Sequence, residues 1–269
     1  MVATNREQRR PQARRWVTAL VASAVALTAA GCSSDSDKGG GGTAAASGGT
    51  NTAICDTAKK HAPKAGALFV ALIVDRTASA RTQLAEPPNL RDAVAQVQAQ
   101  GAKEHKGSAI QTIGVTAAGQ FPVISAPLSL DLKPGDTSSD AGKTRAALLG
   151  CVAPLLDTAD TQPKGEGTDL IGALLAAQQQ KPTQIVVLSS GLNSTPVADL
   201  RTPPADPAQL AQTVKDTTPD FATWSIPVTW FNLGEPNPPL SAQDRDRVIA
   251  FWKALLGDKL KTDTREGGS

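Results

Sequence analysis

The chain has 269 residues, 27 basic against 25 acidic side chains, 40% hydrophobic residues and only 3% aromatic ones, with no Tyr. A formal charge of +2 is no nucleic-acid footprint, and that apolar share is not the profile of full disorder. Three Cys and two His are too few for a zinc scaffold or a disulfide knot, so the length holds one large domain or two small ones around an aliphatic core.

The first 31 residues read as a targeting segment. Arg6, Arg9, Arg10, Arg14 and Arg15 stand against Glu7, and Trp16 to Ala30 runs 15 residues without a charge. A basic head, a short apolar stretch and small residues before residue 32 make a secretory signal over 1–31. The stretch falls short of the roughly 20 apolar residues a spanning helix needs. Arg14-Arg15-Trp16-Val17 hints at twin-arginine export, without the rest of that motif. Ala29-Ala30-Gly31-Cys32 resembles the bacterial lipobox, with Ala29 where that family more often has Leu. The resemblance implies cleavage before Cys32, a diacylglyceryl thioether on its sulfur, and a lipid-anchored address on the outer face of a bacterial cell membrane. An ordinary signal peptide followed by an incidental Cys is the alternative. Removing 1–31 takes away five Arg and one Glu, leaving 22 basic and 24 acidic residues and a net charge of −2. That balance argues against nucleic acid as a partner and against electrostatic lipid binding, so the membrane is expected to be reached through the lipid anchor only. With Cys32 lipidated, Cys55 and Cys151 remain as an even number in an oxidising compartment and are expected to pair; two separate buried thiols are the other arrangement.

Residues 32–52 carry Gly39 to Gly42 among Ser, Asp, Ala and Thr, a flexible tether with a reach of about 25 Å. The domain is expected over 53–258 and a polar tail over 259–269. Ala67 to Val74 is continuously apolar and ends at Asp75, as a strand buried on both faces does. Leu90, Ala93, Val94 and Val97 place a helix over 89–100. Ile110 to Ala117 and Val123 to Leu130 read as strands joined by the turn Gly119-Gln120-Phe121-Pro122, hence antiparallel. A helix over 138–153 is expected to kink or end at Pro154. Thr168 to Gln180 is a helix, Gln184 to Leu188 a buried strand, and Asp206-Pro207-Ala208-Gln209 a helix start. Val228 to Leu233 is the last strand, and Ser241 caps a closing amphipathic helix. The order predicts an α/β fold: a Rossmann-like open, mostly parallel twisted sheet with one antiparallel edge strand and helices on both faces.

Several chemistries find no support in the sequence. Gly142-Lys143-Thr144 lacks the Gly of a phosphate loop five residues earlier, where Thr137 stands. There is no G-x-S-x-G elbow and no visible nucleophile–base pair, so no enzyme is expected. His61 and His105 read as solvated residues, and Asn193-Ser194-Thr195 as a sequon of little meaning in a bacterium.

Open parallel sheets bind ligands outside the carboxyl ends of their strands, at the switch point. There the sequence offers Asp75-Arg76-Thr77-Ala78-Ser79, then Thr168-Asp169 after Gly165-Glu166-Gly167, then Leu188-Ser189-Ser190-Gly191. These segments resemble the von Willebrand factor A domain, in which D-x-S-x-S, a Thr in a G-T-D-type loop and an Asp before Gly form a metal-ion-dependent adhesion site. The resemblance spans about 67–256 and implies Mg²⁺ or Mn²⁺ held by Asp75, Thr77, Ser79, Thr168 and Ser190. Thr77 replaces a Ser of the pattern and Ser190 replaces its second Asp. It implies protein binding or adhesion, with a partner that lends a carboxylate to the metal. Local readings stand beside it: Asp75 and Thr77 bonding nearby amides, Thr168 capping its helix, Ser190 as a turn residue. A metal-independent envelope scaffold, with contacts on the Pro-rich Thr195–Pro207 loop, is the functional alternative. A solute-binding lipoprotein would need a second lobe that the sequence does not offer.

Overall fold

A computed structural model describes residues 51–77, 86–161 and 165–262. The leader, Cys32, most of the tether, Ser79 and the last seven residues of the tail lie outside these. None of the described helices is long and apolar enough to cross a membrane.

The chain runs α1 (Asn51–Lys60), β1 (Leu68–Asp75), α2 (Leu90–Lys103), β2 (Ser108–Val115), β3 (Leu128–Ser129), α3 (Ser139–Leu149), α4 (Val152–Asp160), α5 (Leu170–Gln179), β4 (Gln184–Leu188), α6 (Pro207–Thr217), β5 (Val228–Phe231), α7 (Ala242–Leu256) and β6 (Leu260–Thr262). The strands form one sheet in the order β3-β2-β1-β4-β5-β6. All pairings are parallel except β2 with β3. This is the expected α/β architecture, with its antiparallel strand at one edge.

The sequence pattern explains the layers. Val70 to Val74 are fully buried because β1 is central and covered on both faces. Ala71, Ile73, Ile185 and Val187 face one core with residues of α5, α6 and α7. Val70, Leu72, Val74, Val186 and Leu188 face the other with α1, α2 and α4. The chain leaves β1 towards β2 and β3, then returns at β4 to build the other half. The switch point therefore lies between β1 and β4, at Asp75 and Leu188.

The disulfide forms as expected: Cys55 of α1 is bonded to Cys151, with Cα atoms 5.5 Å apart. Several expected boundaries move. The helix expected to reach Pro154 stops at Gly150-Cys151, and Pro154 sits in the first turn of a separate helix, α4. A first-turn N–H has no intrahelical partner, so Pro is tolerated there. The strand expected over 123–130 shrinks to Leu128–Ser129. Pro122 and Pro127 have no N–H to give, and the Ser125 side chain takes the Thr112 N–H in place of a backbone carbonyl. The expected tail contributes β6, which pairs with Val228–Trp230. The last two residues of the expected tether begin α1.

Candidate functional site

Asp75 ends β1 with its carboxylate at the switch point and only 1% of its surface exposed. Its Oδ1 accepts from the Thr77 N–H at 3.0 Å and from the Thr77 hydroxyl at 2.7 Å. Its Oδ2 accepts from the Ser189 hydroxyl at 2.7 Å. The Thr77 and Thr168 hydroxyl oxygens are 2.7 Å apart. Thr77 has one hydroxyl proton and gives it to Asp75, so Thr168 donates in that contact. The chain of bonds runs from Thr168 to Thr77, Asp75 and Ser189, joining three segments far apart in sequence. Burial pushes the Asp75 carboxyl above the usual range, while the bonds from Ser189 and Thr77 and the Arg76 charge pull it back.

Each member is held by its own element. Thr168 is 1% exposed, and its N–H donates to the Ser194 hydroxyl at 2.7 Å while its carbonyl accepts from the Ser194 N–H at 2.7 Å. Thr168 is not the cap of α5; the Asp169 carboxylate is, accepting from the Gly172 N–H at 2.8 Å. Asn193, fully buried, uses Oδ1 for the Leu170 and Ile171 N–H groups, and Nδ2 for the Thr195 hydroxyl and the Ala198 carbonyl. The loop after β4 is thereby sewn to the start of α5. On the other side, the Trp230 indole donates to the Ser189 carbonyl and the Trp252 indole to the Gly191 carbonyl. Gly191 has φ +80°, and a Cβ there would collide with Leu233 and Trp252.

Asp75, Thr77 and Thr168 therefore meet, as the three-segment arrangement requires. The β4 segment reaches them through Ser189, which the sequence reading passed over for its neighbour. Ser190 is 4% exposed, and its hydroxyl has no hydrogen-bond partner among the described residues. Ser79 lies outside the described residues. Asn193 and Ser194 were also missed as site supports; their Asn-Ser-Thr string read as a glycosylation pattern, whereas Asn193 is wholly interior.

The donor set meets a small cation halfway. An octahedral Mg²⁺ with bonds near 2.0–2.1 Å has ligand oxygens about 2.9 Å apart along an edge. The Thr77–Thr168 spacing of 2.7 Å is close to that edge. The charge falls short: among the described residues joined in this chain of bonds, Asp75 supplies the one carboxylate. No group of three or more His, Cys, Asp or Glu side chains suited to a metal occurs among the described residues.

The loops around this point form a connected rim. The Ala118 N–H donates to the Glu166 carbonyl, and the Gly165 N–H to the Thr116 carbonyl. The Phe121 ring lies against Gly172. Val123 and Val197, 53% and 44% exposed, stand on these loops.

No protein-family model matches the chain, and no curated protein sequence does. Solved structures offer distant likenesses. BatB of Bacteroides thetaiotaomicron, a conserved hypothetical protein, is 13% identical over 63% of this chain and 68% of its own, with a TM-score of 0.29. The manganese-loaded TRAP protein of Plasmodium vivax is 13% identical over 69% and 63%, with a TM-score of 0.26. The pilus adhesin SpaC of Lactobacillus rhamnosus GG is 14% identical over 76% of this chain and 28% of its own, with a TM-score of 0.33. At this distance the fold assignment rests on the strand order and registers given above.

Proposed function

We propose that this chain is a lipid-anchored, extracytoplasmic protein-binding module that engages its partner at the carboxyl end of the sheet without a resident metal ion. The observation that carries the metal-independent reading is the engagement of Asp75, which already accepts three hydrogen bonds from within the protein. Both carboxylate oxygens already accept hydroxyl protons from the protein, and the neighbouring Ser190 adds no charge. The cluster acts as a clasp that fixes three loops, and the rim bearing Val123 and Val197 supplies the contact surface. Loops anchored this firmly suit a protein partner. The reading is of a binder rather than a catalyst: the two histidines lie near the amino-terminal ends of β1 and β2, away from this cluster. A disulfide between Cys55 and Cys151 suits an oxidising compartment, and Cys32 is the proposed lipidation site.

A second reading has its own support. The unpartnered Ser190 hydroxyl and the close Thr77–Thr168 oxygens suit a Mg²⁺ or Mn²⁺ shell completed by water and by a partner's carboxylate. Thermal unfolding with and without about 1 mM Mg²⁺ or Mn²⁺ separates the two. For the wild type we expect an unchanged midpoint. For Ser190→Asp we expect a rise of about 3 °C, as a site of about 0.1 mM affinity would give. A wild-type rise that Asp75→Ala abolishes would transfer the proposal to the metal-dependent form. The binding face is tested by photo-crosslinking in cells. Crosslinkers at 123 or 197 should trap a discrete partner and one at Lys253 should not; no adduct from either rim position would remove the assignment.

A further inference from the structure

The geometry points to a second interaction surface at the opposite end of the sheet, built to lie on an anionic phospholipid bilayer. Residues 59–64 and 103–106 together hold five Lys, both histidines of the chain and one acidic residue. The β1–β2 register sets Leu68 beside Ser108, which brings the turns before the two strands side by side. The Lys64 ammonium donates to the His105 carbonyl at 3.2 Å, and the Leu68 N–H to the Gly107 carbonyl at 3.0 Å. Lys59, Lys60, His61, Lys64, Lys103, His105 and Lys106 are all exposed. Gly135 packs beside His105, so the loop carrying the exposed Lys133 borders the same face.

Acidic neighbours offset only part of it, Asp136 acting on Lys133 within their shared loop. Asp56 pairs with Lys59 at 3.4 Å and Glu104 with Lys106 at 2.7 Å, both at the surface, while Lys60 and Lys103 make no ion pair among the described residues. The basic residues of α1 and α2 stand in the last turns, where they also suit the helix dipoles. That accounts for Lys59, Lys60 and Lys103, but not for Lys64, Lys106 and Lys133, which lie outside the helices. Residues 32–269 carry a net −2, a total that by itself argues against electrostatic lipid binding; it is the clustering of the lysines, not the total, that sets the local field at this face. A bilayer is favoured over a free polyanion by the route of the chain. Cys32 precedes α1 by only 18 intervening residues, 33–50. α1 has ten residues, about 15 Å, and delivers its carboxyl end to the patch. The choice of a bilayer rests on the lipid-anchor reading; the charge clustering does not. With this face on the lipid, the carboxyl-end site points away from it.

The test uses the chain from residue 32 onwards with Cys32→Ser. This removes the five leader arginines and any lipid but keeps both cores and the disulfide. Sedimentation is measured with phosphatidylcholine vesicles, alone or with about 30% phosphatidylglycerol, at low and high salt. Each basic group at an anionic surface raises partitioning about fivefold, so reversing several has a large effect. We expect binding to the anionic vesicles only, lost at high salt and weakened at least a hundredfold in K60E/K64E/K103E/K106E. The variant should stay folded but melt several degrees lower, since it reverses charges that suit the α1 and α2 dipoles and removes the Lys64 and Lys106 contacts; binding is therefore compared well below both midpoints. Equal binding by wild type and variant, equal binding to both vesicle types, or binding to heparin without binding to vesicles would each overturn the proposal. Metabolic labelling of Cys32 with a fatty acid tests the anchor separately, so failure of one is distinguishable from failure of the other.

Discussion

Asp75 is the last residue of a strand whose preceding five side chains are fully buried, and that burial dominates its chemistry. The carboxyl is pushed above its ordinary 3.8, so the native state holds a proton more tightly than the unfolded chain does. Stability from this residue is therefore fully present below about pH 3.8 and declines as pH rises through the elevated native value. At neutral pH the ionised form is a cost that the Ser189 and Thr77 hydroxyls offset in part. Asp75→Asn removes the charge and leaves a carbonyl oxygen to accept one of those hydroxyls. Urea unfolding from pH 4 to 8 should show the variant gaining on the wild type as pH rises. A difference that does not change with pH would mean that burial does not set this carboxyl's charge. Ser189→Ala belongs to the same scale. It strips one bond from a buried carboxylate and should steepen the decline, at a cost of about 1–3 kcal/mol near neutral pH.

Among the elements, α5 and the loop after β4 show how one side chain can organise a site. Asn193 satisfies two N–H groups in the first turn of α5 and ties down the Thr195–Ala198 turn with its amide. Asn193→Ala leaves buried donors and a buried carbonyl unpaired, each worth about 1–3 kcal/mol. We expect a loss of about 3 kcal/mol in urea at an unchanged m-value; a loss below about 1 kcal/mol would mean that water replaces the amide. Nothing in the sequence near Asn193 announces this role, because it depends on a residue 23 positions away. The same limit explains what was legible elsewhere. β1 and β4 could be read because burial on both faces leaves an uninterrupted apolar run, and Asp206-Pro207 because a helix start is local chemistry, with Asp206 capping the Gln209 N–H. Ser241 likewise caps α7 through the Asp244 N–H. β6 escaped because an edge strand of three residues, Lys261 exposed between two half-buried neighbours, is defined by backbone pairing with β5, not by a pattern of its own. α1 carries only Ile54, Cys55 and Ala58 as its buried stripe, too little to register as periodicity. At the site, the three contributing segments were legible from the order of strands and loops. The choice between Ser189 and Ser190 was not, since both follow the same strand and only the local turn decides which hydroxyl meets Asp75.

For the whole molecule, the parallel sheet separates two faces: the strand ends gather the Asp75 cluster and its apolar rim, while the strand starts gather lysines. What holds these faces in fixed relation is the packing of both helix layers, and the Cys55–Cys151 bond secures the outermost element of one layer. α1 precedes the sheet and is short, and among its described residues Ile54, Cys55 and Ala58 are the ones that pack into the core. The bond closes a loop of 96 residues that includes β1, α2, β2, β3 and α3. In the chain-entropy view such a loop stabilises the fold by about 4.7 kcal/mol at most, and native disulfides in secreted domains usually contribute about 2–5 kcal/mol. Both sulfurs are interior, so Cys55→Ala/Cys151→Ala tests this more cleanly than a reductant. The double variant should lose about 2–5 kcal/mol in urea, with a larger m-value because its unfolded chain expands further. Hydrogen exchange should then show α1 opening ahead of β1 and β4. If α1 stays as protected as the central strands, the helix is held by packing alone, and the lysines of its last turn would keep their place without the bond.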